Sequence, residues 1–85
     1  MTDEKTRQRV TQLLSEGISR GLEAHQVWQR DQESARSLAK AALTSLRRAA
    51  DESAYLETPE ERQASHTVSG PLAASLRQSF GYDLD

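Results

Sequence analysis

Among the groups in this chain that can move a proton or attack an electrophile are two histidines, ten serines and thirteen carboxylates. Acid–base or nucleophilic work needs a base within hydrogen-bond reach of the group it activates and a third group to orient that base. His25 and His66 lie 41 residues apart, and neither has a carboxylate three or four positions away. His25 instead shares an apolar seam with Trp28, where an interface histidine is the expected role. No serine sits in a Gly-x-Ser-x-Gly elbow, no glycine-rich loop is present to cradle phosphate, and no paired histidine motif has metal-ligand spacing. The absence of cysteine removes thiolate nucleophiles, thiolate metal sites and disulfides together. The chain therefore reads as non-enzymatic, with no catalytic, cofactor-binding or metal residues and no small-molecule substrate.

What remains is recognition of another macromolecule. Leu13-Leu-Ser-Glu-Gly-Ile-Ser-Arg20 superficially resembles the turn of a helix-turn-helix, with Gly17 at the turn. The flanking positions that should be apolar fall on Gln12, Glu16, Glu23 and Gln26, so the small core of that motif is missing. A pI near 5.6 also disfavours a phosphate-binding surface. The basic residues have an ordinary use on a helix surface, since Asp3 and Arg7, Arg47 and Asp51, and Arg48 and Glu52 are each four apart. Charge is nonetheless split: residues 1–48 carry nine basic and six acidic side chains, residues 49–85 two and seven. That polarity suits solubility first and the steering of a protein partner second. No apolar run approaches the ~20 residues of a membrane span. Met1-Thr-Asp-Glu has neither the basic start nor the apolar core of a secretory leader. A soluble, cytoplasmic protein is expected.

The elements that would carry such recognition are helices. Between Asp3 and Glu57 there is no proline, and the only glycines are Gly17 and Gly21. Val10, Leu14, Gly17, Gly21, Ala24 and Trp28 recur at alternating intervals of four and three, and so share one helical seam. Ala35, Ala39, Ala42, Leu46, Ala49, Ser53 and Leu56 keep the same alternation. Between the sets, Gln29 to Ser34 is polar, with Asp31 placed to cap a second helix. Antiparallel helices pair residues whose numbers have a constant sum, here 63, which sets Trp28 against Ala35, Gly21 against Ala42 and Gly17 against Leu46. Large residues then face small ones. Leu14, Gly17, Gly21, Trp28, Ala42 and Leu46 are the expected pairing seam, with the two glycines admitting close backbone approach. The same arithmetic fits one unbroken helix of about 55 residues pairing with a second copy; the hairpin is preferred because so long a helix is unusual.

The fold expected is thus all-α: an antiparallel, coiled-coil-like hairpin over 1–57 and, over 58–85, two short helices in the same domain or in a docking segment. Thr58-Pro-Glu-Glu61 is a capping box with proline at the first helical position. Ser69-Gly-Pro71 should break the chain and restart it, and Gly81 should stop the second short helix. Leu72, Leu76 and Phe80 share a face, and with Tyr82 and Leu84 form the expected partner-binding stripe, above an acidic tail. Leu, Ile, Val and Phe together number fifteen of 85 residues, so tertiary holding power is weak and a partner or a second copy is the natural remedy. The expected function is a small adaptor, chaperone-like subunit or inhibitor that binds another protein and self-associates. The alternatives are a DNA-binding regulator or antitoxin, and the structural subunit of a helical assembly.

Overall fold

The computed structural model describes residues 4–84, which form three helices, α1 (Glu4–Val27), α2 (Gln32–Ser53) and α3 (Pro59–Phe80), followed by a single 3₁₀ turn at Tyr82–Leu84. The expected pair of Asp3 with Arg7 lies outside the described residues.

Helix α1 ends in a tight turn in which the Arg30 and Asp31 amides both donate to the Val27 carbonyl, each at 2.9 Å. Asp31 is extended there (φ −157°, ψ 97°), and its carboxylate accepts from the Ser34 amide at 3.2 Å and the Ser34 hydroxyl at 2.7 Å. That cap satisfies one of the orphan amides that begin α2. The hydroxyl first and then the amide hold the Asp31 carboxyl below its ordinary pKa. Because α1 stops here, the chain does not form the single long helix.

Helix α1 packs against α2. A β-carbon on Gly17 would lie 2.5 Å from Leu46 Cδ2 and 3.4 Å from the Ala42 carbonyl oxygen. Arg20 donates to Ser45 Oγ at 3.0 Å, and Arg9 meets Glu52 at 3.3 Å. These pairs sum to 63, 65 and 61, as elements running in opposite directions require. Every position of the expected α2 seam, from Ala35 to Leu56, is buried. Glu52 is drawn across to Arg9 on α1, not held by Arg48 on its own helix.

Two expectations change. Gly21 does not owe its place to Ala42: its missing side chain makes room for Leu76 of α3, whose Cδ2 would lie 3.3 Å from an added β-carbon. The third helix, not the second, fills that notch. The break at Ser69-Gly-Pro71 is also absent, for α3 runs unbroken through Pro71. Proline there removes the amide that would bond the Thr67 carbonyl and crowds the preceding turn, at roughly 3 kcal/mol. Gly70 eases the crowding, having no β-carbon to clash with the proline ring. Burial of Leu76 and Phe80 beyond the proline holds the far half of the helix in line. The ends form where expected, although the Glu61 carboxylate, which a capping box would turn back onto Thr58, meets Arg7 of α1 instead. Thr58 Oγ1 accepts from the Glu61 amide at 3.2 Å, and Gly81, at φ 122°, donates its amide to the Arg77 carbonyl at 2.8 Å.

The core is built of small pieces. Ala24, Ala35, Ala39 and Ala42 are fully buried, which brings the backbones together, while Leu46, Leu76 and Phe80 supply the bulk.

The groove between the first and third helices as candidate functional site

The expected partner-binding stripe is mostly inside the protein. Leu76, Phe80 and Leu84 are 1%, 5% and 5% exposed and belong to the core, Leu72 is half-buried against it, and only Tyr82 stands out at 75% exposure. The reason is the shortage of large apolar residues on α1 and α2, which leaves a hole that Leu76 and Phe80 fill. Phe80 takes the edge of Trp28 at a centroid distance of 5.3 Å, and the His25 ring lies tilted on it at 4.8 Å. Asp83 folds back so that Arg36 donates to it at 2.8 Å, and that bond holds the Asp83 carboxyl below its ordinary pKa. His66 lies on α3, exposed and on a different helix from His25. Gly17 lies inside α1, so the helix-turn-helix-like segment has no turn.

The arrangement of α1 against α3 offers a different site. Three contacts join them, Arg7 to Glu61 at 2.9 Å, Gly21 to Leu76, and His25 to Phe80, at sequence offsets of 54, 55 and 55. A constant offset means parallel helices. They are close at the Gly21 and His25 end. At the Arg7 end the span is bridged by a long guanidinium, which leaves a groove between. Its open end holds a cavity of about 370 Å³ lined by Arg7, Val10, Thr11, Leu14, Leu56, Glu61, Ala64, Ser65 and Val68.

The groove differs in chemistry from the rest of the surface. The concavity between α1 and α2, about 520 Å³, is walled mainly by charge: Arg9, Glu16, Arg48, Asp51 and Glu52. Aliphatic side chains of both helices stay in water, Val68 in the lining of the cavity and Ile18 and Leu22 outside it. Ile18 is 40%, Leu22 60% and Val68 41% exposed. Ile18 and Leu22 continue the Leu14 row at four-residue steps, on the flank of α1 bounded by Arg7 and His25, both of which touch α3. Single exposed aliphatics are ordinary; Ile18 and Leu22 differ in following one another by a helical turn.

Two polar atoms buried beneath the cavity lining lack partners among the described residues. Ser65 is 4% exposed and its Oγ has no hydrogen bond among the described residues; the same holds for the buried Oε2 of Glu61, whose Oε1 accepts from Arg7. Each such atom costs roughly 1–3 kcal/mol while it stays unsatisfied. Thr44, Ser53 and Thr67 all turn their hydroxyls onto carbonyls of their own helix, at 3.0, 2.6 and 2.8 Å, but Ser65 does not.

Sequence reasoning missed Ile18, Leu22, Glu61, Ser65 and Val68 as site residues. The available signal was that Ile18 and Leu22 are aliphatic yet fall off the alternating seam of α1. Among the described residues, no helix is long and apolar enough to cross a membrane. Compared with protein-family models, with curated proteins and with solved structures, the chain matches none of them.

Proposed function

We propose that the protein is a non-enzymatic helical interaction module, an adaptor, chaperone-like subunit or inhibitor working in the cytoplasm, which receives a protein partner in the groove between α1 and α3. On this reading the hairpin of α1 and α2 is the scaffold, and the C-terminal half of α3 is the wedge that sets the groove's width. The docking face moves from the C-terminal stripe to the groove, because most of that stripe is already buried.

The observation that carries the reading is the aliphatic row left exposed beside the cavity. The chain has only fifteen large aliphatic and phenylalanine residues with which to build a core, yet Ile18, Leu22 and Val68 are kept on the surface. A partner that covers them adds the apolar burial that the chain lacks by itself. Self-association is one form this takes.

The test places a photo-crosslinking amino acid at Leu22, at Val68 and, as a control on α2, at Lys40. The expected result is a discrete crosslinked species from positions 22 and 68, absent from position 40 and lost on Ile18→Ser. Equal crosslinking from all three positions refutes the docking face. Light scattering on the same preparations separates a second copy from a different protein.

A further inference from the structure

We infer that the cleft between α2 and α3 receives a phosphate group, held between Arg47 of one helix and Arg77 of the other. The cleft is separate from the docking groove, and its assignment does not rest on that reading.

The sequence prepares the cleft by where it withholds carboxylates. Residues 34–50 carry Arg36, Lys40, Arg47 and Arg48 and no acidic side chain. Residues 62–82 carry Arg62, His66 and Arg77, again with none. All thirteen acidic residues fall outside these two stretches, so a pI near 5.6, averaged over the chain, conceals a carboxylate-free middle in both helices. The concavities among the described residues divide in the same way. Arg9 and Arg48 share theirs with Glu16, Asp51 and Glu52, Arg36 and Lys40 share theirs with Glu33 and Asp83, and Arg7 shares the groove with Glu61. The cleft between α2 and α3, about 240 Å³, is lined by Arg47, His66 and Arg77 and by no carboxylate. All three stay within reach of water, Arg47 and His66 exposed and Arg77 half-buried.

Helix geometry turns the two arginines toward each other. His66, Gly70, Ala73 and Arg77 follow at intervals of four, three and four, which is one face of α3, and Leu43, Arg47 and Ala50 form the facing wall on α2. The two helices are antiparallel, since α1 runs against α2 and along α3. Helical side chains lean toward the N-terminus of their own helix, so Arg47 leans toward the level of Leu43 and Arg77 toward that of Ala73, opposite walls of the same cleft. The space between is open, for a β-carbon on Gly70 would meet no atom within 4 Å. Beneath it lie the buried side chains of Leu43 and Leu46, which keep the local dielectric low.

The donors specify a tetrahedral anion. A carboxylate has two oxygens in one plane, and a single guanidinium fork satisfies both; a phosphate has more oxygens, pointing in different directions, and a charge approaching −2, so it accepts from two guanidiniums at once. His66 brings an N–H donor to the rim in either protonation state. The volume equals that of about eight waters at roughly 30 Å³ each, which is room for a phosphate with its nearest waters. A nucleic-acid duplex fits less well, because it would extend over Glu33 and Asp83, which line the neighbouring concavity, whereas a single phosphate meets the cleft alone.

The test titrates the isotope-labelled full chain with sodium phosphate at constant ionic strength, and follows backbone amide and arginine side-chain resonances by NMR. The expected result is saturable shifts at His66, Gly70 and the side chains of Arg47 and Arg77, with none at Arg9 or Leu22. Arg47→Gln and Arg77→Gln should each weaken binding by about tenfold, the range of a charge-assisted hydrogen bond. Arg48→Gln, next in sequence but lining the other concavity, should change it by less than about twofold. The shift map is taken on the unaltered chain, so it does not depend on how the variants fold. Phenyl phosphate bound as tightly as inorganic phosphate identifies a phosphate monoester as the group received; inorganic phosphate bound alone identifies the free ion, and either result supports the site. Shifts spread evenly over Arg9, Arg47 and Arg48, or no saturation by about 10 mM phosphate, overturn it. Acetate bound as tightly as phosphate, or duplex DNA bound more tightly than phenyl phosphate with shifts along the whole of α2, assigns the cleft to other chemistry and overturns the inference as well.

Discussion

Replacing Gly17 by alanine is the sharpest test of how closely α1 and α2 approach. In an unconstrained helix interior the change stabilises by roughly 0.8–1.0 kcal/mol, because glycine surrenders more backbone freedom. Here the new methyl would sit 2.5 Å from Leu46 Cδ2 and 2.7 Å from Leu46 Cγ, where carbon atoms in contact stand about 3.5–4.0 Å apart. The second atom matters more, because Cγ is a branch point that cannot swing clear without carrying the side chain with it. Leu46 is 2% exposed, so either it repacks toward the cavity of about 240 Å³ that it lines with Leu43, Ser69 and Ala73 or the helices separate; overpacking of this kind costs about 1–3 kcal/mol. Against the propensity gain, the net is a loss of about 1 kcal/mol, a fall in Tm of about 4–8 °C for a domain of this size. Far-UV circular dichroism followed through heat and urea reads it directly. In a Leu46→Ala background, which removes both offending atoms, the sign should reverse and the same methyl should stabilise. Gly21→Ala meets only the terminal methyls of Leu76, at 3.3 and 3.9 Å, and should be tolerated better. If Gly17→Ala raises Tm in the parent chain, the helices are not in contact at this point and the explanation of the glycine is wrong.

Pro71→Ala should stabilise the protein by about 1–3 kcal/mol, read as a raised urea midpoint, since it restores the amide to the Thr67 carbonyl inside a helix that is already continuous; an unchanged midpoint would mean that α3 is broken there in solution. Phe80→Ala should cost about 3–5 kcal/mol, a large share of the stability of so small a domain, whereas Tyr82→Ala should stay within about 0.5 kcal/mol. Equal effects from the two would return the C-terminal segment to the surface. Asp31 and Asp83 are both held below the ordinary carboxyl pKa, so the contribution of each is complete above about pH 3.9 and is lost as pH falls through the lower folded value. Urea midpoints should thus begin to drop below about pH 4, and less steeply for the Asp31→Asn, Asp83→Asn double variant. A slope identical to the parent's would show that neither carboxylate is engaged.

The all-helical class, the place of the turn after α1, the seam of α2 and the caps at Asp31, Thr58 and Gly81 were all legible in the sequence. Their causes are local: side-chain oxygens reaching amides three residues on, a glycine at positive φ, and apolar spacing along a single helix. A signal for the α1 flank was present but unread, in the aliphatic pair Ile18 and Leu22 lying off the seam. What they flank was not legible, because a groove exists only once a second wall is placed.

The sequence by itself determined that this chain forms helices, where a turn between the first two would fall, and which stripe of α2 is buried, because each follows from contacts within a few residues or from one helix's own periodicity. Only the tertiary structure decided that α3 continues through Pro71, that Gly21 makes room for Leu76 and not Ala42, and that Phe80 belongs to the core. Those outcomes depend on apolar volume shared among all three helices. A core this poor in large residues takes its bulk from wherever the chain can bring it, against a local break at Ser69-Gly-Pro71 that would otherwise have prevailed.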